Sequence, residues 1–221
     1  MFAQEAKGIF EFTNEEGNVI ESGSVLTRTE TEASDFGGLQ INTGLYAKQN
    51  QTEMDGYKLG VKLKLDVTEL PHGDIQYCFP GSCFRTSAVG EVITEGGLVE
   101  NPDGITSLKT EWIMGFDPED ETGEKQLYGT AVVKLTLIPC KQIPAGEKYG
   151  VPFYNWEELG ESTSVTVNFV YADPAGINGV ADNANATVVA RYAADGTRLS
   201  APQKGLNIVK LSNGKTVKYV K

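Results

Sequence analysis

An all-β sandwich is the fold class that the sequence predicts, on three observations. Apolar and polar residues alternate with period two over long runs, of which residues 57–67 are the clearest. Clusters of Gly, Asn, Asp and Pro separate these runs. No long window shows the periodicity of an amphipathic helix. Such alternation is typical of antiparallel strands with one buried and one solvent-facing side, and the lack of helical patterns excludes βαβ architectures.

Roughly nine strands over residues 7–171 would build the sandwich. In chain order, the candidates are residues 9–12, 24–29, 39–46, 57–67, 75–79, 89–94, 108–116, 127–138 and 165–171. The side chains predicted to form the core are Leu59, Val61, Leu63, Leu65, Trp112, Val133, Leu135, Val167 and Phe169. The same register exposes Lys62 and Lys64, and a shift by one residue would reverse every assignment on that strand. A helical turn is expected only around Asn155–Leu159.

Charge and hydrophobicity limit the function classes. The 221 residues include 30 acidic and 19 basic side chains, which gives a net charge of −11. This balance argues against nucleic acid as a partner, because affinity for phosphates rests on clustered Lys and Arg. No apolar run is long enough to cross a bilayer, so we expect no transmembrane segment.

The composition changes at Ala172, which divides the chain into three parts. Residues 1–171 form the predicted sandwich domain, and residues 172–186 are small, polar and typical of a linker. Residues 187–221 form a small β tail. Its strand candidates are residues 187–192, 206–211 and 216–220, with a type I′ hairpin signal at Asn213-Gly214. Three such strands are marginal as an independent fold, so the tail either packs on the sandwich or stays mobile.

Catalytic material is scarce, and we expect no enzyme activity, no cofactor and no metal ion. The single histidine, His72, lies in a Pro-His-Gly-Asp turn and is expected to face solvent. No Gly-x-Ser-x-Gly elbow and no Gly-rich phosphate loop is present. The acidic segment 117–124 lacks EF-hand spacing and is interpreted as a solvated hairpin loop.

The cysteines favour an oxidising compartment. Cys78 and Cys83 flank a Phe-Pro-Gly-Ser segment, whose turn chemistry would bring the two sulfur atoms together in a disulfide. Cys140 is then either a buried free thiol or the true partner of one of the other two. The three cysteines match no compact zinc pattern.

Three aromatic residues, Phe153, Tyr154 and Trp156, are the candidate ligand-binding side chains. They lie in the segment 151–156, which we interpret as a loop. Rigid amphipathic rings suit both sugar stacking and protein hot spots. The alternative is a loop in which Phe153 and Trp156 plug the end of the sandwich. Exposed coplanar rings would favour sugar binding, whereas buried rings would favour this structural role.

The tail carries a family resemblance. Its matching positions are Arg191-Tyr192, Gly196, Leu199, Pro202, the run 204–209, Gly214-Lys215, Lys218 and Lys221. In these residues the tail resembles the short form of the C-terminal sorting domain of the type IX secretion system of Gram-negative bacteria. The additional upstream strands of longer sorting domains are absent. The resemblance implies delivery to the cell surface or the medium, with the secretion machinery as a partner of the tail. It places Lys204, Gly205, Gly214 and Lys215 in the sorting element.

A second resemblance covers residues 56–83, GYKLGVKLKLDVTELPHGDIQYCFPGSC. It is similar to an immunoglobulin-like domain of exported proteins from the same bacteria, in which a long strand precedes a Cys-aromatic-Pro-x-x-Cys turn. The resemblance implies an immunoglobulin-like antiparallel sandwich. We therefore expect an exported or cell-surface, non-enzymatic binding or adhesion module that takes a surface glycan or a protein as its ligand. The alternative is a carbohydrate-binding or accessory module of a glycan-handling surface system, and a hydrolase built on carboxylates is the least favoured.

Overall fold

A computed structural model describes residues 8–123, 125–160, 163–172, 188–194, 196–211 and 216–220. Over these residues the protein is all-β, as the sequence predicts, and consistent with a β-sandwich. None of the described residues lies in a helix, so none could cross a membrane as one. The helical turn expected around residues 155–159 is wrong, because Val151–Glu158 is a β-strand. The chain divides into two compact units, Met1–Tyr171 and Ala172–Lys221.

The described part of the first unit contains sixteen strands. They are β1 (Phe10–Thr13), β2 (Val19–Ile20), β3 (Ser24–Arg28), β4 (Glu32–Ala33), β5 (Leu39–Asn42), β6 (Tyr46–Gln49), β7 (Glu53–Met54), β8 (Tyr57–Glu69), β9 (Asp74–Cys78), β10 (Cys83–Thr86), β11 (Gly90–Ile93), β12 (Ile105–Ser107), β13 (Thr110–Ile113), β14 (Gly129–Lys148), β15 (Val151–Glu158) and β16 (Thr163–Tyr171). Most differences between the observed and the predicted strands concern short strands, which contain too few residues to show an alternation of apolar and polar side chains.

The largest sheet has the order β11-β8-β14-β16-β3, and β15 and β7 are attached to β14 and β8. Its centre is β14, a strand of 20 residues that pairs with β8, β16 and β15. All of these pairings are antiparallel except that of β16 with β3, which is parallel. The sheet therefore contains both of the longest alternating runs of the sequence.

Two smaller sheets, β12-β6-β1-β2 and β10-β9-β13-β5-β4, complete the first unit. The single strand predicted over residues 39–46 is wrong, because a turn divides it into β5 and β6, which belong to different sheets. Asn42 makes this turn, since its Oδ1 accepts the N–H of Gly44 at 2.8 Å and Gly44 adopts a φ of 61°. A positive φ costs glycine little, so the strand breaks there.

One hydrophobic cluster joins the three sheets of this unit. Every predicted core side chain is at most 1% exposed, which confirms the register of the long strands. Lys62 and Lys64 lie on the outer face as predicted, but their side chains are only 19% and 32% exposed, because each is ion-paired. The stripe over residues 108–116 fails at its end, where Phe116 lies outside β13 and is 44% exposed.

The second unit contains an antiparallel sheet of β17 (Val188–Ala193), β18 (Leu206–Leu211) and β19 (Thr216–Val220), in that order. Asn207 is fully buried, and its side chain organises the residues before β18. Its Oδ1 accepts the N–H of Gln203, and its Nδ2 donates to the carbonyls of Gln203 and Gly205. Residues 173–186 of the predicted linker and the hairpin signal Asn213-Gly214 lie outside the described residues.

Candidate binding site on the β14–β15 ribbon

The end of β14 and the whole of β15 form a two-stranded extension, which we call the ribbon (residues 142–158). β14 pairs with β16 only as far as Leu137 and with β8 only as far as Lys141. Beyond that point, β15 is the only described strand that pairs with it. The ribbon closes through Tyr149-Gly150, whose φ values of 54° and 76° are those of a type I′ hairpin turn.

The tip of the ribbon exposes large apolar side chains. Tyr149 is 95% exposed, Val151 is 65%, Phe153 is 46% and Tyr154 is 39%. Their contacts within a two-stranded ribbon are few, so much of their apolar surface faces water. A concentration of exposed apolar side chains within six residues is typical of interaction sites in folded proteins.

The three predicted aromatic residues lie in a strand, so the interpretation of residues 151–156 as a loop is wrong. Successive side chains of a strand point to opposite faces. Phe153 therefore lies on one face of the ribbon, where it faces Gly146 across the strand pair. Tyr154 and Trp156 lie on the other face. The three rings consequently do not form one flat platform.

Trp156 is half-buried and anchors the base of the ribbon. Its ring packs against Gly60 of β8 and Gly96 after β11, and a Cβ atom at either glycine would overlap the indole. Backbone hydrogen bonds join the two segments that carry these glycines. The N–H of Val61 donates to the carbonyl of Gly97 at 2.9 Å, and the N–H of Gly97 donates to the carbonyl of Val61 at 3.1 Å. Part of the Trp156 side chain thus makes a structural contact with the glycines, and the rest is exposed and open to a ligand.

Two ion pairs flank the base. Lys62 Nζ lies 2.8 Å from Glu158 Oε1, and Lys141 Nζ lies 2.6 Å from Asp55 Oδ2. The hydrogen bond to Glu158 raises the pKa of Lys62, and the hydrogen bond to Asp55 raises that of Lys141. Because each pair has an exposed carboxylate, its contribution to stability is small. The pairs lie where the ribbon leaves the sheet.

Proline residues interrupt both strands of the ribbon. Pro144 lies on β14 next to a β-bulge, and Pro152 lies on β15. Proline has no N–H to donate, and bulges and prolines are devices that discourage a further strand from adding to a sheet edge. Side chains rather than backbone are therefore the groups that the ribbon offers to a partner.

The cysteines behave differently from one another. Cys78 and Cys83 face each other across β9 and β10 and form a disulfide. Cys140 is a buried free thiol that donates to the carbonyl of Ile138 at 3.2 Å. Burial raises its pKa to about 11, so it carries little thiolate at neutral pH and is a poor nucleophile.

His72 is only partly exposed, whereas the sequence suggested a solvent-facing turn residue, because it links the turn before β9 to two other segments. Its Nδ1 accepts the N–H of Gly115 at 3.1 Å, and its Nε2 lies 3.2 Å from the carbonyl of Tyr128. Burial lowers its pKa, which favours the neutral ring. Its carbonyl also accepts the indole N–H of Trp112 at 2.9 Å. Both ring nitrogens are therefore occupied within the fold.

Two carboxylates of the acidic loop, those of Asp117 and Asp120, have partners within the loop. Asp117 pairs with Lys125 at 2.7 Å, and Asp120 accepts the hydroxyl of Thr122 and the N–H of Lys125. No group of three or more His, Cys, Asp or Glu side chains that could hold a metal ion occurs in the described ranges. The hydrogen bonds within the acidic segment are those of a solvated loop.

The structure describes only some of the residues that the sequence analysis places in a sorting element. Lys204 is exposed, and Gly205 has a φ of 99°, a value that L side chains rarely adopt. Gly214 and Lys215 lie outside the described residues. Lys204 and Gly205 directly precede β18, and their role in sorting stays a prediction.

The sequence matches no protein-family model, and no curated protein is significantly similar to it. Local geometry and the two sequence resemblances thus carry the functional inference. Tyr149 and Val151 were not singled out from the sequence. A usable signal was present, since Tyr149-Gly150 follows a long alternating run and precedes an aromatic-rich one.

Proposed function

We propose that this chain is an exported, non-enzymatic β-sandwich protein that binds a partner protein through the ribbon. The observation that carries this proposal is the exposed apolar tip, in which Tyr149, Val151 and Phe153 lie beyond the part of β14 that pairs with β8 and β16. An isolated two-stranded ribbon is marginally stable in water. Apolar side chains at its end gain most when a partner covers them.

The disposition of the rings supports a protein partner rather than a glycan. Phe153 and Tyr154 lie on opposite faces of the ribbon, so a partner must offer a concave surface to contact both. Rigid aromatic anchors that enter pockets are typical of protein interfaces. The net charge of −11 would steer the chain toward a partner with a basic surface.

Export is supported by the disulfide and by the resemblance of the tail. The bond between Cys78 and Cys83 fits an oxidising compartment. The matching residues of the tail suggest delivery to the surface of a Gram-negative bacterium or to its medium by the type IX machinery. An adhesion module at that location would meet surface or matrix proteins.

The state of His72 supports the absence of histidine-based catalysis. A histidine that acts as a general base needs a ring nitrogen that can reach the substrate, whereas both nitrogens of His72 lie within hydrogen-bond distance of the protein itself. His72 is the single histidine of the chain.

A binding screen against purified fibronectin, fibrinogen, laminin and collagen tests the proposal by biolayer interferometry. We expect at least one of them to bind, with affinity reduced by about tenfold or more in a Tyr149→Ser, Phe153→Ser double variant. The matched control is Val89→Ser, because Val89 is 60% exposed and precedes Gly90, which pairs with Val67 at the end of β8 opposite the ribbon. A bound protein whose affinity is the same in wild type and double variant would contradict the assignment to the ribbon.

A carbohydrate-binding or accessory module is the second candidate function. Tyr154 and Trp156 share one face of the ribbon and could stack on a sugar. Half-burial of Trp156 leaves this pair a smaller platform than three coplanar rings would give. In this alternative, Tyr154→Ala would weaken binding to an oligosaccharide and leave protein binding unchanged.

A further inference from the structure

A row of polar side chains crosses the outer face of the sheet β10-β9-β13-β5-β4. Arg85, Gln76, Glu111 and Asn42 are directly opposite one another on four neighbouring strands. The adjacent row contains Ile75, Trp112 and Ile41, all fully buried. Because side chains alternate between faces, the polar row faces outward. At a strand spacing of about 4.8 Å it is about 14 Å long.

Hydrogen bonds hold the planar groups of this row side by side. Arg85 Nε donates to Gln76 Oε1 at 2.9 Å, and Gln76 Nε2 donates to Glu111 Oε2 at 3.2 Å. Asn42 Nδ2 donates to Glu111 Oε1 at 3.2 Å. Each amide nitrogen has a second N–H, and each carboxylate oxygen has a second lone pair. The row is therefore ordered and can still make further hydrogen bonds.

An aromatic ring lies against Arg85, and a cleft borders Asn42. The guanidinium carbon of Arg85 lies 3.5 Å from the centroid of the Phe36 ring, which is 59% exposed. Asn42 also lines an open cleft of about 610 Å³, most of whose other lining residues carry hydroxyl groups (Thr27, Thr31 and Tyr46 among them) or charges (Arg28 and four glutamates). A ligand on the row would meet an apolar ring beside Arg85 and a mixture of hydroxyl and charged groups beside Asn42.

We propose that the strip formed by Arg85, Gln76, Glu111 and Asn42, with the Phe36 ring against Arg85, binds a neutral saccharide chain. Neighbouring hydroxyl groups of a sugar both donate and accept, which matches a row in which amide N–H groups alternate with carboxylate oxygens. Groups that are already fixed by the protein lose little conformational freedom on binding. The C–H face of a sugar ring can pack on Phe36, as apolar surfaces pack on aromatic rings.

The charges of the strip disfavour other ligand classes. Glu111, with Glu32 and Asp35 nearby, repels an anion, and burial together with these two carboxylates raises the pKa of Glu111. A cation is disfavoured because the positive charge of Arg85 lies in the same row. A neutral polyhydroxyl ligand meets neither repulsion.

Isothermal titration calorimetry of the full chain tests the strip with cellohexaose, xylohexaose, mannohexaose and chitohexaose. We expect at least one of these probes to bind, and we expect Glu111→Gln to reduce that affinity by about tenfold. Gln76→Leu should act in the same direction and Phe36→Ala more weakly. Near-ultraviolet circular dichroism and thermal unfolding of each variant establish that it is folded, and Glu111→Gln preserves the shape of the side chain.

Two controls separate the strip from the ribbon and from general surface effects. Lys134→Ala changes an exposed residue on the other sheet, and Phe153→Ser changes the ribbon; both should leave saccharide affinity unchanged. A failure of all four probes to bind would overturn the proposal, and so would an affinity that Glu111→Gln and Gln76→Leu do not alter. Tighter binding of a tetragalacturonate probe would refute its neutral character. None of these results bears on the protein partner of the ribbon.

Discussion

Trp156 packs against Gly96 in a contact that only glycine permits, since a Cβ atom at residue 96 would overlap the indole ring. The next residue, Gly97, lies against Pro80 in the same way, with a Cβ position 2.7 Å from the proline ring. The Gly96-Gly97 segment thus lies between the ribbon and the turn that the disulfide closes. These contacts hold the base of the ribbon in place, and a binding site at its exposed tip requires such rigid support.

Gly96→Ala should destabilise the protein by about 1–3 kcal/mol, because the added methyl group must displace the indole ring of Trp156 from its packing position on the glycines. Chemical denaturation measures the loss, and the fluorescence of Trp156 should shift as its ring becomes more exposed. The matched control is Gly81→Ala, whose Cβ would have no neighbour within 4 Å. That change should alter the free energy of unfolding by no more than about 0.5 kcal/mol. Equal effects of the two variants would contradict the packing described for Trp156.

His72 should make the protein less stable as the pH falls. Burial lowers the pKa of His72 in the folded state below its ordinary 6.5, so below that pH the unfolded chain binds a proton that the folded chain resists. The stability that comes from the neutral ring is therefore fully present above about pH 6.5 and is lost on acidification. His72→Asn retains an acceptor for the N–H of Gly115 but cannot titrate. Urea denaturation at about pH 8 and about pH 5 should show a stability difference between wild type and variant that changes in favour of the variant at the lower pH.

Glu111→Gln should have the opposite pH dependence. The pKa of Glu111 is raised, first by burial and then by Glu32, so its charged form is disfavoured in the folded state. This group contributes stability below its unfolded pKa and loses it as the pH rises through its folded pKa. The variant should consequently be at least as stable as wild type at pH 7, and any advantage should vanish near pH 4. A variant that is clearly less stable at pH 7 would show that the amide hydrogen bonds to Glu111 outweigh the cost of burying its charge.

The long strands could be predicted from sequence because their alternation extends over many residues. In β8, apolar residues occupy every second position from Leu59 to Leu65. A helix could not place all of these residues on one buried face, so the alternation indicates a strand. Trp112 could be assigned to the core from a shorter stripe because a large ring on the apolar side of a strand has few alternatives.

The ribbon and the position of His72 could not be predicted in the same way. β15 has exposed residues on both faces, so it shows no alternation, and its pairing with β14 is fixed by the Tyr149-Gly150 turn. His72 is fixed by contacts with Gly115 and Tyr128, which are distant in the chain. The row from Arg85 to Asn42 likewise depends on the order of strands in the sheet, which no local pattern encodes.

Removal of the disulfide should have a moderate effect. The bond between Cys78 and Cys83 closes a loop with a sequence separation of only 5 residues, so replacing both by serine should cost about 2 kcal/mol at most on chain-entropy grounds. Thiol titration of the unfolded oxidised protein should find one free thiol, that of Cys140, and three after reduction. Three free thiols before reduction would show that the disulfide does not form in the purified protein.

A chain truncated after Asp173 should retain a cooperatively folded sandwich and lose its route to the cell surface. The first unit ends at Tyr171, and its core cluster consists of residues from Ile9 to Phe169, so truncation removes none of that core. Thermal unfolding of the truncated protein should therefore remain a single transition, with at most a small decrease in Tm.

The resemblance of residues 187–221 to a sorting domain predicts that the truncated chain fails to reach the surface or the medium of a host with the type IX machinery. If the tail strands instead belong to the sandwich, truncation should abolish the cooperative transition, which would refute the domain boundary. Normal surface delivery of a folded truncated chain would refute the sorting role and leave the binding proposals for the ribbon and the strip intact.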